Sequence, residues 1–489
     1  MSLYKNLFKQ TLIYGLATVL PRMLSFLLNP LYVKVLPTGE FGEISIVFAG
    51  LIFFNVILSY GMETSFFRFY NSEENKDNVV STSTISIFWS SFGFLLIALL
   101  FKNAIADFTN INVAFIVYTI WILVFDALAI VPFSKLRATK KPMVYAAIKI
   151  GSVVVNFGLN LFFLLLLPKL ITENPTGFFN AIYFKDFQIG YIFISNLIAS
   201  LLTLIVLMPN YLKIKWHFDY LLWKKMIHYG IPILLAGIAF AVNEHFDKIL
   251  LKILNVSKSD IGAYAACYKI GMFMVLFRTA YTLGIEPFFF SHASNENAQQ
   301  TYATITKYFV IFGSFICLGV IVFADLLKHI LVPNPDYWDA MKVVPLIVLA
   351  NFFLGIYTNL SVWYKLIDKT KIGAYISIIG AIITLILNFL LIPIMSYYGS
   401  AIATIAAYGS MMLISYKLGQ KSYPIPYEIN KIFGYLGITI LFSAISFYIP
   451  SLRHNYYLKI SLLVAFLYFI YYNEKQTLMR ILNKKKSQN

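Results

Sequence analysis

Gly61-Met62-Glu63-Thr64-Ser65-Phe66-Phe67 recurs as Gly284-Ile285-Glu286-Pro287-Phe288-Phe289-Phe290, 223 positions further on, both reading G-x-E-x-x-F-F at the end of a long apolar stretch. Other landmarks repeat at a similar offset. Tyr14-Gly15 and Tyr229-Gly230 each open an apolar segment, and Gly42 and Gly262 begin the segment after it. Gly151 and Asn160 sit inside one segment as Gly380 and Asn388 sit inside a later one. Duplicated halves in a chain of apolar segments point to a transporter built around a central site.

Of the 489 residues 59% are hydrophobic and only 12% charged, with a mean hydropathy of +0.74. Soluble domains carry about a quarter charged residues, so a water-soluble globule is excluded. Apolar runs of roughly 20 residues, enough for one helix across a bilayer core, recur throughout. They predict an all-α polytopic membrane protein with about fourteen spans: 11–33, 42–63, 79–101, 112–134, 144–167, 187–209, 230–253, 262–289, 301–324, 341–364, 372–394, 398–419, 431–450 and 456–472. A β-barrel would alternate over about ten residues instead. The first run is too long for a signal-peptide core and reads as a retained helix. Cys267 and Cys317 form no C-x-x-C, and the six histidines are scattered singly, so neither a disulfide framework nor a metal centre is expected.

The net charge of +17 would suggest nucleic acid if the charges were not distributed by loop. Alternating the spans from an inside N-terminus places about 23 Lys and Arg inside and about 10 outside, as the positive-inside rule requires. The inner clusters are Lys135, Arg137, Lys140 and Lys141; Lys213, Lys215, Lys224 and Lys225; Lys365, Lys369 and Lys371; and Lys484 to Lys486. The basic balance thus reports topology and contact with anionic membrane lipids, with both termini cytoplasmic and no nucleic-acid partner. Six spans bring the chain back to the side on which it began, so the pseudo-repeat is parallel. The expected organisation is a first lobe over 1–209, an interfacial linker helix over 210–229, a second lobe over 230–421, and a C-terminal pair with a basic tail over 422–489. No P-loop, G-x-S-x-G or H-E-x-x-H motif is present, which speaks against an enzyme and against ATP-driven transport within this chain.

Charges inside spans cost at least ~2.5–3.5 kcal/mol each, so each is a candidate site. Arg22 lies roughly 16 Å into span 1, near the midplane. Thr18, Arg22, Ser25 and Asn29 share one helical face with Gly15, a polar stripe that has to meet protein or water. Pro21 and Pro30 are expected to bend that helix. Arg278 is central in span 8. Lys269, nine residues earlier, falls half a turn out of phase on a straight helix. Lys307, a turn from the end of span 9, reads as a snorkelling lysine. Span 7 carries Asn243-Glu244-His245-Phe246-Asp247-Lys248, with Glu244 and Lys248 in i,i+4 register as an expected ion pair and Asn243 beside them. This cluster is read either as an ion-coupling site or as a structural pair. Asp126 and Lys149, level on neighbouring spans 4 and 5, are expected to pair. Glu63 and Glu286, from the repeated motif, are candidate inner-gate residues with Arg68 or loop lysines as partners.

Lys369-Thr370-Lys371, Tyr375, Gly380, Leu387-Asn388, Ile392-Pro393 and Gly399-Ser400-Ala401-Ile402-Ala403-Thr404 resemble the helix 11–12 signature of bacterial polysaccharide (O-antigen-type) flippases. Leu36-Pro37-Thr38-Gly39-Glu40-Phe41-Gly42 resembles their helix 1–2 turn, and Asp247-Lys248 their Asp-Arg/Lys pair. These flippases belong to the multidrug/oligosaccharidyl-lipid/polysaccharide exporter superfamily, and the likeness runs over essentially the whole chain. The resemblance implies two six-helix lobes around a cationic cavity. It also implies alternating-access transfer of polyprenyl-pyrophosphate-linked glycan to the outer leaflet of the bacterial cytoplasmic membrane. Arg22 and Arg278, one per lobe, then serve as phosphate ligands, with Lys269 in support. No cofactor is implied; membrane potential or an H+ or Na+ gradient are the candidate drives, and a glycan polymerase and glycosyltransferases the candidate partners. A lipid II flippase shares this logic. A multidrug cation antiporter would need an unpaired carboxylate where span 1 offers Arg22. A membrane polymerase or glycosyltransferase would need catalytic groups in an outer loop. The loop 325–340 offers Asp325, Asp336 and Asp339, and the last two read as turn and helix-start residues.

Overall fold

The computed structural model describes residues 2–291 and 296–486; the side chains of residues 2–18, 283, 286, 287, 290, 291 and 476–486 lie outside the described set. Among the described residues the chain is helical and contains no strand. A helix satisfies every backbone donor and acceptor within itself, and an apolar chain in hydrocarbon has no other open-ended way to do so. Twelve helices are long and apolar enough to cross a membrane, from Thr38–Ser72 (span 2) to Ile429–Tyr448 (span 13). The expected spans 1 and 14 are also helical, over Ser2–Val35 and Tyr456–Lys486. Span 1 stays helical through Pro21 and Pro30.

Several spans are interrupted, each at an identifiable residue. Span 2 is two helices, Thr38–Ser59 and Met62–Ser72, joined by Tyr60 and Gly61 in left-handed conformation (φ 31° and 72°). The repeated motif therefore marks a break in span 2, and the helical path continues beyond the end expected at 63. Span 5 widens into a π-turn over Phe162–Leu166, just before Pro168, which has no N–H to give to an i−4 carbonyl. Span 7 (Tyr220–His245) ends at Phe246, and a short helix, Asp247–Ile253, follows. Span 8 passes through a 3₁₀ turn, Lys269–Gly271, between Lys258–Tyr268 and Met272–Ser291.

The chain divides into two compact units, Met1–Ala266 with Ser377–Ser400, and Cys267–Ile376 with Ala401–Asn489. The linker expected to be a separate interfacial helix lies inside the first unit. Its residues 214–219 are non-helical, Asp219 caps span 7 by accepting the Leu222 N–H (2.9 Å), and 220–229 form the first turns of that span.

Glycines set the helix crossings of the first unit. A Cβ on Gly42 would lie 1.9 Å from the Lys258 carbonyl oxygen, and one on Gly262 would lie 1.9 Å from that of Thr38. The two glycines made equivalent by the sequence repeat thus pack on one another's helices. Their contact is flanked by a Thr38–Ser259 hydroxyl bond (2.5 Å) and a Lys258–Glu43 ion pair (2.7 Å). Gly61 packs on Gly230 as closely, a Cβ there falling 2.3 Å from the Gly230 oxygen, and the buried Ser65 hydroxyl donates to the Met226 carbonyl (2.9 Å). Small residues permit this approach of backbones, which replaces the missing hydrophobic driving force between helices in lipid. Met62, Phe66, Val79, Val131 and Met226 close the core around it. The second copy of the motif behaves differently: Gly284 lies in an unbroken helix with open space where a Cβ would be.

In the second unit, Phe277, Tyr281, Phe309 and Phe352 form an aromatic core, with Gly313 against Phe352 and Gly355 against Phe309. Two ion clusters hold spans 13 and 14 to span 9. At one end of span 9, Lys307 meets Glu428 (2.6 Å) and Glu474 (3.3 Å), and Lys431 meets both glutamates. Lys307 is buried, so the snorkelling lysine expected from its position is instead neutralised in place. Past the other end, Asp325 meets Arg453 (2.8 Å), Lys459 and Lys328 (both 3.3 Å). Burial alone would raise the Asp325 carboxyl; the Arg453 hydrogen bond and the three cations outweigh it and hold it well below the usual carboxylate range.

Candidate functional site

In span 1 the side chains of Arg22 and Ser25 are exposed, whereas Asn29 is buried. Thr18 lies outside the described side chains. The predicted polar stripe therefore divides into an accessible part and a packed part. Below it, the Tyr32 hydroxyl donates to Asn160 Oδ1 (3.0 Å), Asn160 Nδ2 to Asn156 Oδ1 (2.6 Å), and Asn156 Nδ2 to Asn196 Oδ1 (2.6 Å). This ladder ties spans 1, 5 and 6. An exposed Arg at that depth requires a watery or liganded space, because hydrocarbon cannot accept it.

The span 7 cluster is arranged differently from its spacing. Lys248 pairs with its neighbour Asp247 (2.8 Å), and the buried Tyr264 hydroxyl donates to Asp247 Oδ2 (2.7 Å). Glu244 lies 3.8 Å from His245 Nε2. Asn243 is buried between helices, donating to the Ser377 carbonyl (3.0 Å) and accepting from Thr384 (2.9 Å), so it joins span 7 to span 11 and does not line an accessible space.

Asp126 and Lys149 come into electrostatic range but make no direct ion pair among the described residues. Asp126 Oδ1 accepts from the Ser200 hydroxyl (2.8 Å), and the Lys149 ammonium stands 4.3 Å from the centre of the Phe133 ring. Glu63 pairs with Arg137 at the end of span 4, while Arg68, its expected partner, lies over the Tyr229 ring (4.3 Å). The side chain of Glu286 is outside the described residues.

In the second unit Arg278 is half-buried, its Cγ running against Gly355 of span 10. Next to it, the Tyr281 hydroxyl donates to Asn359 Oδ1 (2.6 Å), and the Thr282 hydroxyl donates to the Arg278 carbonyl (2.8 Å). Tyr281, Thr282 and Asn359, with Thr358 and Lys365, border a recess of about 10 Å³, the size of a single water. Tyr281 and Asn359 escaped the reading of the sequence, although Tyr281 follows Arg278 by three residues and Asn359 is an amide inside an apolar span. Lys269 is half-buried in the 3₁₀ turn, so the straight-helix phase separating it from Arg278 does not apply.

Against this geometry the family model described as polysaccharide biosynthesis protein matches residues 7–283, more than half of the chain. The chain belongs to the polysaccharide biosynthesis protein family. A second family model, MatE, matches residues 232–390. Among solved structures, the lipid II flippase MurJ in an inward closed conformation superposes with a TM-score of 0.73 at 15% identity, covering 94% of this chain and 99% of that one. A multidrug resistance MATE transporter of the MOP superfamily, inward-facing, gives 0.59 at 14% identity over 81% and 93%. A MOP superfamily transporter from Pyrococcus furiosus, whose binding pocket is described as reversed in polarity, gives 0.56 at 13% over 84% and 95%. An uncharacterised membrane protein of Methanocaldococcus jannaschii is 23% identical over 192 residues, 39% of this chain and 44% of its own length, so the match spans less than half of that relative. At these identities the solved structures show the fold that this polysaccharide biosynthesis family member shares with them.

Proposed function

We propose that the protein moves a polyprenyl-pyrophosphate-linked oligosaccharide across the cytoplasmic membrane by alternating access of its two repeat-related lobes, with both termini in the cytoplasm. The observation that carries this reading is Arg22: an exposed arginine within an apolar helix, where an anionic head group is the ligand that its forked donors fit. Arg278, packed along Gly355, carries the same forked donors, and Lys269 adds positive charge on the same span. A membrane gradient or potential supplies the drive, and Asp126 with Lys149 is the candidate coupling group because it is charged, membrane-embedded and not locked in a direct pair. Lipid II is the second substrate reading, supported by the higher TM-score to MurJ than to the MATE transporters. In cells lacking their own flippase, the wild-type chain should restore surface glycan, while Arg22→Ala and Arg278→Ala should each lower export about tenfold or more at unchanged protein level. Normal glycan from both variants would overturn the assignment, and rescue of a MurJ-depleted strain would select lipid II.

A further inference from the structure

A cleft of about 520 Å³ opens in the first unit between span 3, the residue before the Gly61 break, and the start of span 7. That is within the range of pockets that enclose a small ligand, roughly 300–1,000 Å³. Its walls are Tyr60, Trp89, Phe218 and Trp223, and its polar atoms are already paired with each other. Tyr60 Oη and Ser86 Oγ lie 2.7 Å apart, Trp223 Nε1 donates to Ser86 Oγ (2.9 Å), and Ser90 donates to Tyr60 Oη (3.4 Å). What the cleft presents is ring surface, so its occupant is a hydrocarbon chain rather than a sugar or a drug-like polar ring. Tyr60 is held there by a left-handed backbone (φ 31°), a conformation that a non-glycine residue adopts only when its surroundings impose it. The segment bordering the cleft carries Lys213, Lys215, Lys224 and Lys225, all exposed, and among the described residues none of them meets a carboxylate. Trp216 and Tyr220, also exposed, are the side chains that settle at head-group level.

We infer that this cleft binds one acyl chain of an anionic phospholipid, whose phosphate is met by the lysines of the adjoining segment. Neither Arg22 nor Arg278 lines the cleft, and its occupancy does not depend on what the protein transports. Each lysine near a charged surface contributes about fivefold in preference for anionic lipid. Full-length protein in nanodiscs of phosphatidylcholine, doped with acyl-brominated phosphatidylglycerol or acyl-brominated phosphatidylcholine, reports chain contact by quenching of tryptophan fluorescence. Brominated phosphatidylglycerol should quench more strongly. The excess should vanish in Trp89→Phe/Trp223→Phe, and should fall to the phosphatidylcholine level in a variant with Lys213, Lys215, Lys224 and Lys225 changed to Gln. The lysine variant alters only exposed side chains and keeps both reporters, so it decides the matter if the aromatic variant folds poorly. Equal quenching by the two lipids in wild type, or an excess that survives the lysine changes, would overturn the proposal.

Discussion

At the scale of single residues, depth and partnership separate the charges. Asp247–Lys248 is a closed pair, and Lys307 and Lys431 with Glu428 and Glu474 form a set of two charges of each sign. Asp126 and Lys149 differ: the carboxylate has a hydroxyl and the ammonium a ring, each charge relying on the other at a distance. Asp126→Asn keeps the acceptor for Ser200 but removes the counter-charge of Lys149. It should destabilise the protein by about 3 kcal/mol, and Lys149→Met added to it should recover part of the loss. The check is a double-mutant cycle on the unfolding midpoint in detergent. Additive losses would mean the two groups do not interact. Spacing located these residues in the sequence, but it could not show which atom each one reaches, since hydrogen-bond partners come from other spans.

At the scale of elements, the two copies of G-x-E-x-x-F-F predict opposite responses. Gly61 is left-handed and packed on Gly230, so Gly61→Ala combines about 1–2 kcal/mol of backbone strain with a clash against the Gly230 carbonyl. Gly284 lies in regular helix with room for a methyl, so Gly284→Ala should be neutral or stabilise by up to about 1 kcal/mol. Thermal stability of the two variants in detergent compares them, and equal losses would contradict the packing described. The Asp325 cluster makes a second prediction. Its carboxyl is depressed in the folded state relative to about 3.9 unfolded, so its contribution is complete above that value and is lost as pH falls through the folded pKa. The stability gap between wild type and Asp325→Asn should be flat from about pH 8 to about pH 5 and close in stronger acid. A gap that grew with acid would contradict it. The spans were legible because hydrocarbon leaves an apolar chain no alternative to helices. The breaks at Tyr60–Gly61, Phe246 and Lys269–Gly271 were not, because each is set by what packs against it.

At the scale of the molecule, the sequence repeat predicts two lobes, over 1–209 and 230–421, whereas the compact units run over 1–266 with 377–400 and over 267–376 with 401–489. Gly42 and Gly262 began as matching landmarks and prove to be each other's packing partners, a relation that no spacing contains. The candidate site was legible in part: Arg22 and Arg278 stand out by depth alone. Asn243, equally polar, is consumed by a helix contact visible only once span 11 lies beside it. The central claim is translocation of an anionic lipid-linked glycan by way of the two arginines. It is tested most directly with purified protein in proteoliposomes holding a fluorescent polyprenyl-pyrophosphate oligosaccharide, by the fraction of label that an impermeant quencher reaches with time. Wild type should carry label from one leaflet to the other, and the Arg22→Ala/Arg278→Ala protein should leave it where it was placed. Equal translocation by both proteins would contradict the account.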